Sequence, residues 1–508
     1  MSRERLLDIQ PNMAGGLNET SDDSYLTENQ LRKALNARLT EFGAVTKRGG
    51  LRRTAAPLSA GDPVLNGFNW RRDTGAPQIL AIAGGKLYTS EFAPFPWTWT
   101  EQTGSFSTTV TPTFTRFRDA TSDVVYIADG GLLSKWNGTA VTNNIAGTAS
   151  SRVIAVHNQR LWSAGSSSSP QSIFYSDLNN GDTLGNAGAG GGEIIVRTFG
   201  DETVVSLASI NTSLLIFHRR GISRLTGFGQ DDIEVAPSGV TADVGLIAPK
   251  SIVAIDNLAY FVSERGLYIC NEQEVAAVSN PQTPDPLLKL VRTLTAVQLG
   301  QVRSTLNRST RELLISIPGV GVYVYNTTLQ AWSGPWDTGW VDPGTTALFE
   351  TLNENGIPVT LRGDADGYVS LSEAPGAVLD NIEPDGTDGE RYAMDVQFHR
   401  FYCGDEASVK ALRWGYLTAQ LQGSDESSVR WSTGSAIGSF QLPPASEFSW
   451  GGAGTEWGQG VWGGSGSTRY RIPMGGNGYY IDVSVIDSGA ALPVISRFQI
   501  ETFDLGRR

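Results

Sequence analysis

Ser251-Ile252-Val253-Ala254-Ile255, then Ala259-Tyr260-Phe261-Val262, then Arg265-Gly266-Leu267-Tyr268: these three short runs decide how the chain is read. The first two are alternating or wholly apolar and rich in β-branched and aromatic residues, as half-buried or buried strands are. The third opens at a turn and carries a Gly, Leu and aromatic signature. That signature returns along the chain. It stands at Gly85-Lys86-Leu87-Tyr88, Gly131-Leu132-Leu133 (with Trp136), Gln159-Arg160-Leu161-Trp162, Arg220-Gly221-Ile222, Gly321-Val322-Tyr323 (with Tyr325) and Asp366-Gly367-Tyr368-Val369. Positions 85 and 367 lie 282 residues apart, so six steps average 47, with extremes of 28 (131 to 159) and 61 (159 to 220). A period in the forties with several short strands per unit fits a propeller blade of four strands and their turns. Unrelated hairpins in a β-sandwich are the competing arrangement, and they need no such sustained repeat.

The expectation is therefore an all-β chain with a β-propeller of about six to eight blades over 61–380. An N-terminal platform segment, 1–60, precedes it, and a C-terminal β-sandwich or platform domain, 385–508, follows. In the first segment Thr27-Glu28-Asn29-Gln30 fits a capping box and predicts one or two helical turns. From Leu35 the pattern becomes strand-like, and Lys47-Arg48-Gly49-Gly50-Leu51-Arg52-Arg53 forms a basic, glycine-split corner. In the last segment three stretches alternate as half-buried strands do: Met394, Val396 and Phe398; Ile481, Val483 and Val485; Phe498 and Ile500. Between them lies a glycine-rich loop from Trp450 to Gly466 around Trp457 and Trp462.

Composition narrows the function. At 508 residues the chain has room for roughly three domains, and 59 glycines with 13 tryptophans suit many tight turns between aromatic-rich strands. Two cysteines, Cys270 and Cys403, exclude a disulfide framework. Met1 to Asn12 has no apolar signal-peptide core, and no run approaches 18 apolar residues, so neither secretion nor membrane insertion is expected. A net charge of −13 makes the chain a poor candidate for gripping nucleic acid, whose phosphates need a basic footprint.

No residue set points to catalysis. His157, His218 and His399 each sit in strand-like settings without a nucleophile or carboxylate pattern, and read as structural. Gly363-Asp364-Ala365-Asp366-Gly367 begins like a calcium loop, but its glycine falls two positions early, so a polar turn is the better reading. Asp231-Asp232 is a weak candidate for a carboxylate pair. No cofactor or metal site is expected. The cationic cluster Lys47, Arg48, Arg52 and Arg53 reads as a surface facing a partner, or as an internal salt-bridge patch, rather than a phosphate site.

Three passages resemble the tail nozzle (tail tubular B-like) proteins of short-tailed bacteriophages. One runs from Gly15-Gly16-Leu17-Asn18 through Leu26–Asn36 to Lys47-Arg48-Gly49-Gly50. Another is Val244-Gly245-Leu246-Ile247-Ala248-Pro249-Lys250-Ser251-Ile252, followed by Tyr260-Phe261 and Gly266-Leu267-Tyr268. The last is Trp457-Gly458 with Trp462-Gly463. The resemblance implies a propeller flanked by a platform built from both termini, and a structural, non-enzymatic virion protein made in the host bacterial cytoplasm. It implies six copies in a ring below the portal and adaptor proteins, with tail fibres nearby. Double-stranded DNA would be retained and then ejected through the ring without specific binding. The basic corner would then face the adaptor. Two alternatives stand beside it. One is a tail component of a long-tailed phage with the same fold. The other is a glycan-binding or glycan-cleaving propeller, in which Trp97, Trp99, Trp332, Trp336 and Trp340 stack on sugars; no sialidase-type Asp box accompanies it.

Overall fold

A computed structural model describes residues 5–22, 25–119, 122–197, 202–227, 234–241, 243–279, 284–374, 376–404, 406–421, 427–443, 467–489 and 492–505. The glycine-rich loop 450–466 and Asp231-Asp232 lie outside these residues.

Six four-stranded antiparallel sheets stand as separate blades, and a seventh four-strand meander runs on into a platform sheet. Counted along the chain, the innermost strands of blades I to VII are Val64–Trp70, Thr113–Arg118, Val153–His157, Val204–Ile210, Val253–Ile255, Arg303–Asn307 and Thr345–Leu352. Blade VI is the one that continues into the platform, through its outer strand Ala331–Trp336. Among the described residues the α-helices are the short Leu287–Leu290 and Ala296–Gln301.

Blade strands read as wholly apolar because each blade is covered on both sides. In the blade I strand Gln78–Ala83, Ile79, Ala81 and Ala83 pack toward Phe349, Leu361 and Val369 of blade VII. The intervening Leu80 and Ile82 pack toward Phe114, Val125 and Trp136 of blade II. Successive side chains point to opposite faces, so a sheet sandwiched between two neighbours is apolar at every position.

The recurring signature marks the third strand of a blade. It falls on Lys86–Ser90, Ser134–Trp136, Ile222–Thr226, Gly266–Cys270, Gly321–Asn326 and Val369–Ser372. In blade III it falls instead on the second strand, Arg160–Ala164. The third strand there is Ser172–Tyr175. That one-strand slip accounts for the unequal steps around position 159.

Strands from the two ends of the chain interleave in the platform. One sheet runs Thr468–Pro473, Lys410–Gln420, Val494–Asp504, Val45–Lys47, Ala37–Leu39. The other continues blade VI through Gln30–Leu35, Met394–Phe398, Ile481–Asp487, Ser427–Thr433 and Ile437–Gln441. Met394, Val396 and Phe398 are buried as their alternation requires, and so are Ile481, Val483, Val485, Phe498 and Ile500. The helix expected after Thr27 is absent. Gln30 starts a strand, its amide donates to the Thr27 carbonyl, and the Thr27 amide donates to the Gln30 side chain, which closes a turn. A reciprocal capping box exists at Thr295 and Gln298.

The basic corner is where the ring closes, and it faces inward. Leu51–Arg53 supplies the outermost strand of blade VII, with Ser370 opposite Arg53 and Ser372 opposite Leu51. Arg48 is fully buried. Its Nη1 donates to Asp380 Oδ1 at 2.7 Å, its Nη2 to the other Asp380 oxygen and to the Thr338 carbonyl, and its Nε to Asn36 Oδ1 at 3.0 Å. The Tyr392 ring lies 3.9 Å from the guanidinium carbon. Lys47, also buried, donates to Asp487 and to the Gly489 carbonyl. Arg52 donates to the Pro384 carbonyl and lies over Phe95, while Arg53 pairs with Glu383 and lies over Tyr368. The expected adaptor-facing patch is thus corrected: these four cations hold parts of this chain together. Gly50 is required by proximity, because a Cβ there would stand 1.8 Å from the Leu379 carbonyl oxygen.

Asp380→Asn keeps the shape of this knot and removes the counter-charge of a buried guanidinium. Unfolding free energy should drop by about 3–5 kcal/mol, measured by chemical denaturation. A change under about 1 kcal/mol, the level of an exposed pair, would show that the corner does not hold the closure.

Candidate ligand site in the axial channel

The seven innermost strands surround an axial channel. At their leading ends the channel holds a cavity of about 380 Å³, lined by Thr111, Thr113, Ser206, Lys250, Arg303 and Ser304 among others. It adjoins a wider pocket of about 610 Å³ bordered by Arg152, Thr203 and Lys250. At the trailing ends lies a cavity of about 680 Å³, with Asn66, Asn69, Arg71, Arg116, Arg308 and Glu350 in its wall. Inner strands have a hydrogen-bonded neighbour on one edge only, and the residues that border the channel along the other edge include hydroxyls, amides and charge.

The two mouths differ in electrostatics. At the trailing mouth carboxylates accompany the cations: Arg308 pairs with Glu350, on which Arg71 also acts at longer range, and Arg116 pairs with Asp73 and Asp123. At the leading mouth Lys250 and Arg303 have no carboxylate partner among the described residues, and no carboxylate lines either leading cavity. Lys250 Nζ donates to Thr113 Oγ1 at 2.6 Å, the one protein acceptor of its three donors among the described residues. Arg303 is buried and pinned across the ring. Its guanidinium donates to the carbonyls of Gly300, Val302 and Thr346 and to Thr111 Oγ1, reaching from blade VI to blades VII and II. The buried Ser304 hydroxyl has no partner among the described residues.

Local structure places Lys250. The Ser251 hydroxyl donates to the Ala248 carbonyl and accepts from the Val262 amide, fixing the turn ahead of the inner strand. The Ser304 amide donates to the Lys250 carbonyl. Burial pushes the Lys250 ammonium down to about 7, and the Arg303 guanidinium adds to the shift. Burial also lowers Arg303, to about 10. Lys250 keeps part of its surface on the channel, yet protein atoms crowd it enough to cost it hydration.

The other candidates from the sequence are engaged elsewhere. His157 bonds Ser209, His218 bonds Ser223, and His399, pushed down to about 4 by burial, bonds Gln10. Burial pushes both cysteine thiols up to about 12. Asp364 accepts the amides of Asp366 and Tyr368, which makes 363–367 a polar turn opening a strand. Trp97, Trp332, Trp336 and Trp340 are core residues, and the half-buried Trp99 donates to Thr54, so the expected sugar-stacking set is not presented as a surface. Two carboxylates do converge on the Tyr126 hydroxyl, Asp182 at 2.7 Å and Asp119 at 3.4 Å. Lys135 also binds Asp182, and Gly181 donates its amide to Asp119, so the cluster joins blade II to blade III. Sequence reasoning missed Lys250 and Arg303. The one signal was a lysine inside the otherwise apolar run Ile247–Ile252, just ahead of an inner strand.

No family model and no curated protein matches the chain. Similar solved structures are extracellular domains from B. thetaiotaomicron. That of a one-component system shares 10% identity over 64% of this chain and 40% of its own, with a TM-score of 0.42. Those of two hybrid two-component systems share 11% and 13%, covering 64% and 77% of this chain and 39% and 48% of theirs, with TM-scores of 0.44 and 0.39. The chain spans less than half the length of these neighbours. None is a phage protein, and this corrects the resemblance to tail nozzle proteins. The hexameric ring, the portal, adaptor and fibre contacts, DNA passage and a place in the virion lose with it the support it gave them.

Between pH 7 and the ordinary lysine value of 10.5 the unfolded chain binds the Lys250 proton and the folded chain releases it. The burial penalty is therefore full below about pH 7 and fades as pH rises toward 10.5. Lys250→Met removes the group from both states. The variant should melt higher than the parent at pH 7 and lose that advantage by pH 10, in paired melting curves. An advantage equal at both pH values would contradict the assignment.

Proposed function

We propose that this chain is a non-enzymatic, glycan-binding β-propeller that takes its ligand in the axial channel. The observation that carries the reading is the channel wall itself. It is a concave, polar surface on rigid strands, where Asn66, Asn69, Thr111, Thr113, Thr115, Ser206, Ser209, Ser304 and Thr305 alternate with Ile252, Ala254 and Leu348. Hydroxyls and amides over short apolar patches suit a polyhydroxylated ligand, whose rings present polar edges and C–H faces. Binding sites in general combine a largely pre-formed hollow with a few placed polar groups.

A binding role rather than a catalytic one is supported by how the titratable groups are used. Glycoside hydrolysis needs two carboxylates flanking a bond, one poised as acid. Asp119 and Asp182 share the Tyr126 hydroxyl and a structural lysine at a blade junction, and the histidines bond hydroxyls or amides of the fold.

Ala254 exposes its methyl group to the channel and lines both the leading and trailing cavities, so Ala254→Trp should plug the site without touching a core contact. In a glycan-binding screen the parent should retain oligosaccharides without shortening them. The plugged variant should bind at least tenfold more weakly at an unchanged melting temperature. Equal binding by both proteins would place the site elsewhere, and product sugars would mean an enzyme.

A further inference from the structure

We propose that the leading mouth is an anion subsite that takes the carboxylate or sulfate of an acidic oligosaccharide on Lys250, backed by Arg303. This deepens the channel reading and rests on it.

The charge arrangement argues for it. The chain carries 52 acidic and 39 basic side chains, yet among the described residues the wall of the leading mouth holds Lys250, Arg303 and Arg152 and no carboxylate. Two cations pressed together without a counter-ion cost free energy, and structural cations elsewhere in this fold avoid that cost. Arg48 has Asp380, Lys47 has Asp487, Arg38 has Glu312 and Glu373. Lys250 and Arg303 have threonine hydroxyls and carbonyls, which orient them without neutralising them.

The donors are also distributed as a receptor's would be. Arg303 uses its fork on the protein and so holds position. Lys250 spends one donor on Thr113, has no other protein acceptor among the described residues, and lines both leading cavities. The Thr113 hydroxyl donates to the Arg152 carbonyl, so its lone pairs face Lys250 and fix the head group. Ser304 lines the same wall, and its buried hydroxyl has no partner among the described residues. An oxyanion there would accept charge-assisted bonds, the strong class of hydrogen bond. The cavity of about 380 Å³ admits a sugar ring with its substituent, and the adjoining pocket of about 610 Å³ leaves room for more of the chain.

The charged groups facing Lys250 are Arg303 and Arg152, both cationic. An arriving anion therefore raises the proton affinity of Lys250, and binding above neutral pH takes up a proton. A lysine with a purely structural role gives no such signal.

The test is isothermal titration of the full chain with uronate and sulfated oligosaccharides, each beside its neutral counterpart of equal length. Parent, Lys250→Met and Ala254→Trp proteins are compared, with inorganic sulfate as a minimal probe. The expected result is at least a tenfold preference for an acidic sugar, erased in Lys250→Met while neutral affinity persists. Proton uptake at pH 8, read from buffers of different ionisation enthalpy, should appear in the parent and vanish in Lys250→Met. The uronate and sulfate arms tell which anion the mouth prefers. Equal affinity for acidic and neutral sugars, unchanged in Lys250→Met but lost in Ala254→Trp, overturns the anion subsite and leaves the channel reading standing. Sulfate binding without any sugar binding overturns the sugar ligand and the reading beneath it. An acidic preference that survives Lys250→Met refutes the assignment to this lysine.

Discussion

Arg48 and Asp380 form a buried ion pair at the point where the propeller closes, and the rest of the architecture depends on it. The chain enters the ring from the platform and leaves it back into the platform, so no covalent link seals the circle. Pairing of Leu51–Arg53 with Val369–Ser372 seals it with one short strand. A three-residue strand is weak alone. Around it, Arg48 collects Asn36 from the platform, Thr338 from the link after blade VI, and Asp380 from the segment after blade VII, and Tyr392 packs on its face. Asn36 adds Asp337 and the Ala393 carbonyl to the same knot. Apolar side chains could fill that volume at equal or lower cost. They could not specify which four segments meet there, and the directional bonds of a guanidinium do.

Closure has a consequence at the axis. Arg303 bonds Thr346 of blade VII and Thr111 of blade II, so its position is defined only when the two ends of the ring are in register. Lys250, from blade V, is aimed by Thr113 of blade II on the far side of the channel. The leading mouth is therefore assembled from strands distant in sequence and is only as rigid as the ring. Loss of Asp380 would reach the channel through register, without any contact to it.

The repeat was legible in the sequence because blade packing acts on every residue of a strand. Two covered faces force runs such as Ile79–Ala83 to be apolar throughout, and the tight turn before each third strand demands a glycine or a residue that tolerates its backbone. Blade III misled for the same reason: Gln159 and Asn158 adopt left-handed backbone at the first hairpin, so the turn before Arg160-Leu161-Trp162 copies the signature one strand early. The Thr27 turn misled because a threonine and a glutamine three apart can satisfy each other with no helix behind them. The basic corner and the five tryptophans misled because charge and aromaticity report chemistry, while burial depends on tertiary partners such as Asp380, which lies 332 residues from Arg48. Lys250 was illegible on the same grounds. A lysine in a loop is ordinarily a solvated surface group, and only the ring turns this one inward.

That inward turn sets the leading mouth apart from the rest of the fold. At the buried cations of the closure, local preference and tertiary demand agree, since Arg48 meets Asp380 and Lys47 meets Asp487. At Lys250 and Arg303 they disagree, since burial disfavours both charges and each raises the cost of the other. A single methionine at position 250 would relieve that conflict within the folded chain. Structures that keep a locally unfavourable arrangement, held by well-made surroundings, tend to do so where a ligand completes it. Here the missing element has a defined sign and place. It is one negative charge, small enough for the channel, at the end where the described residues supply none.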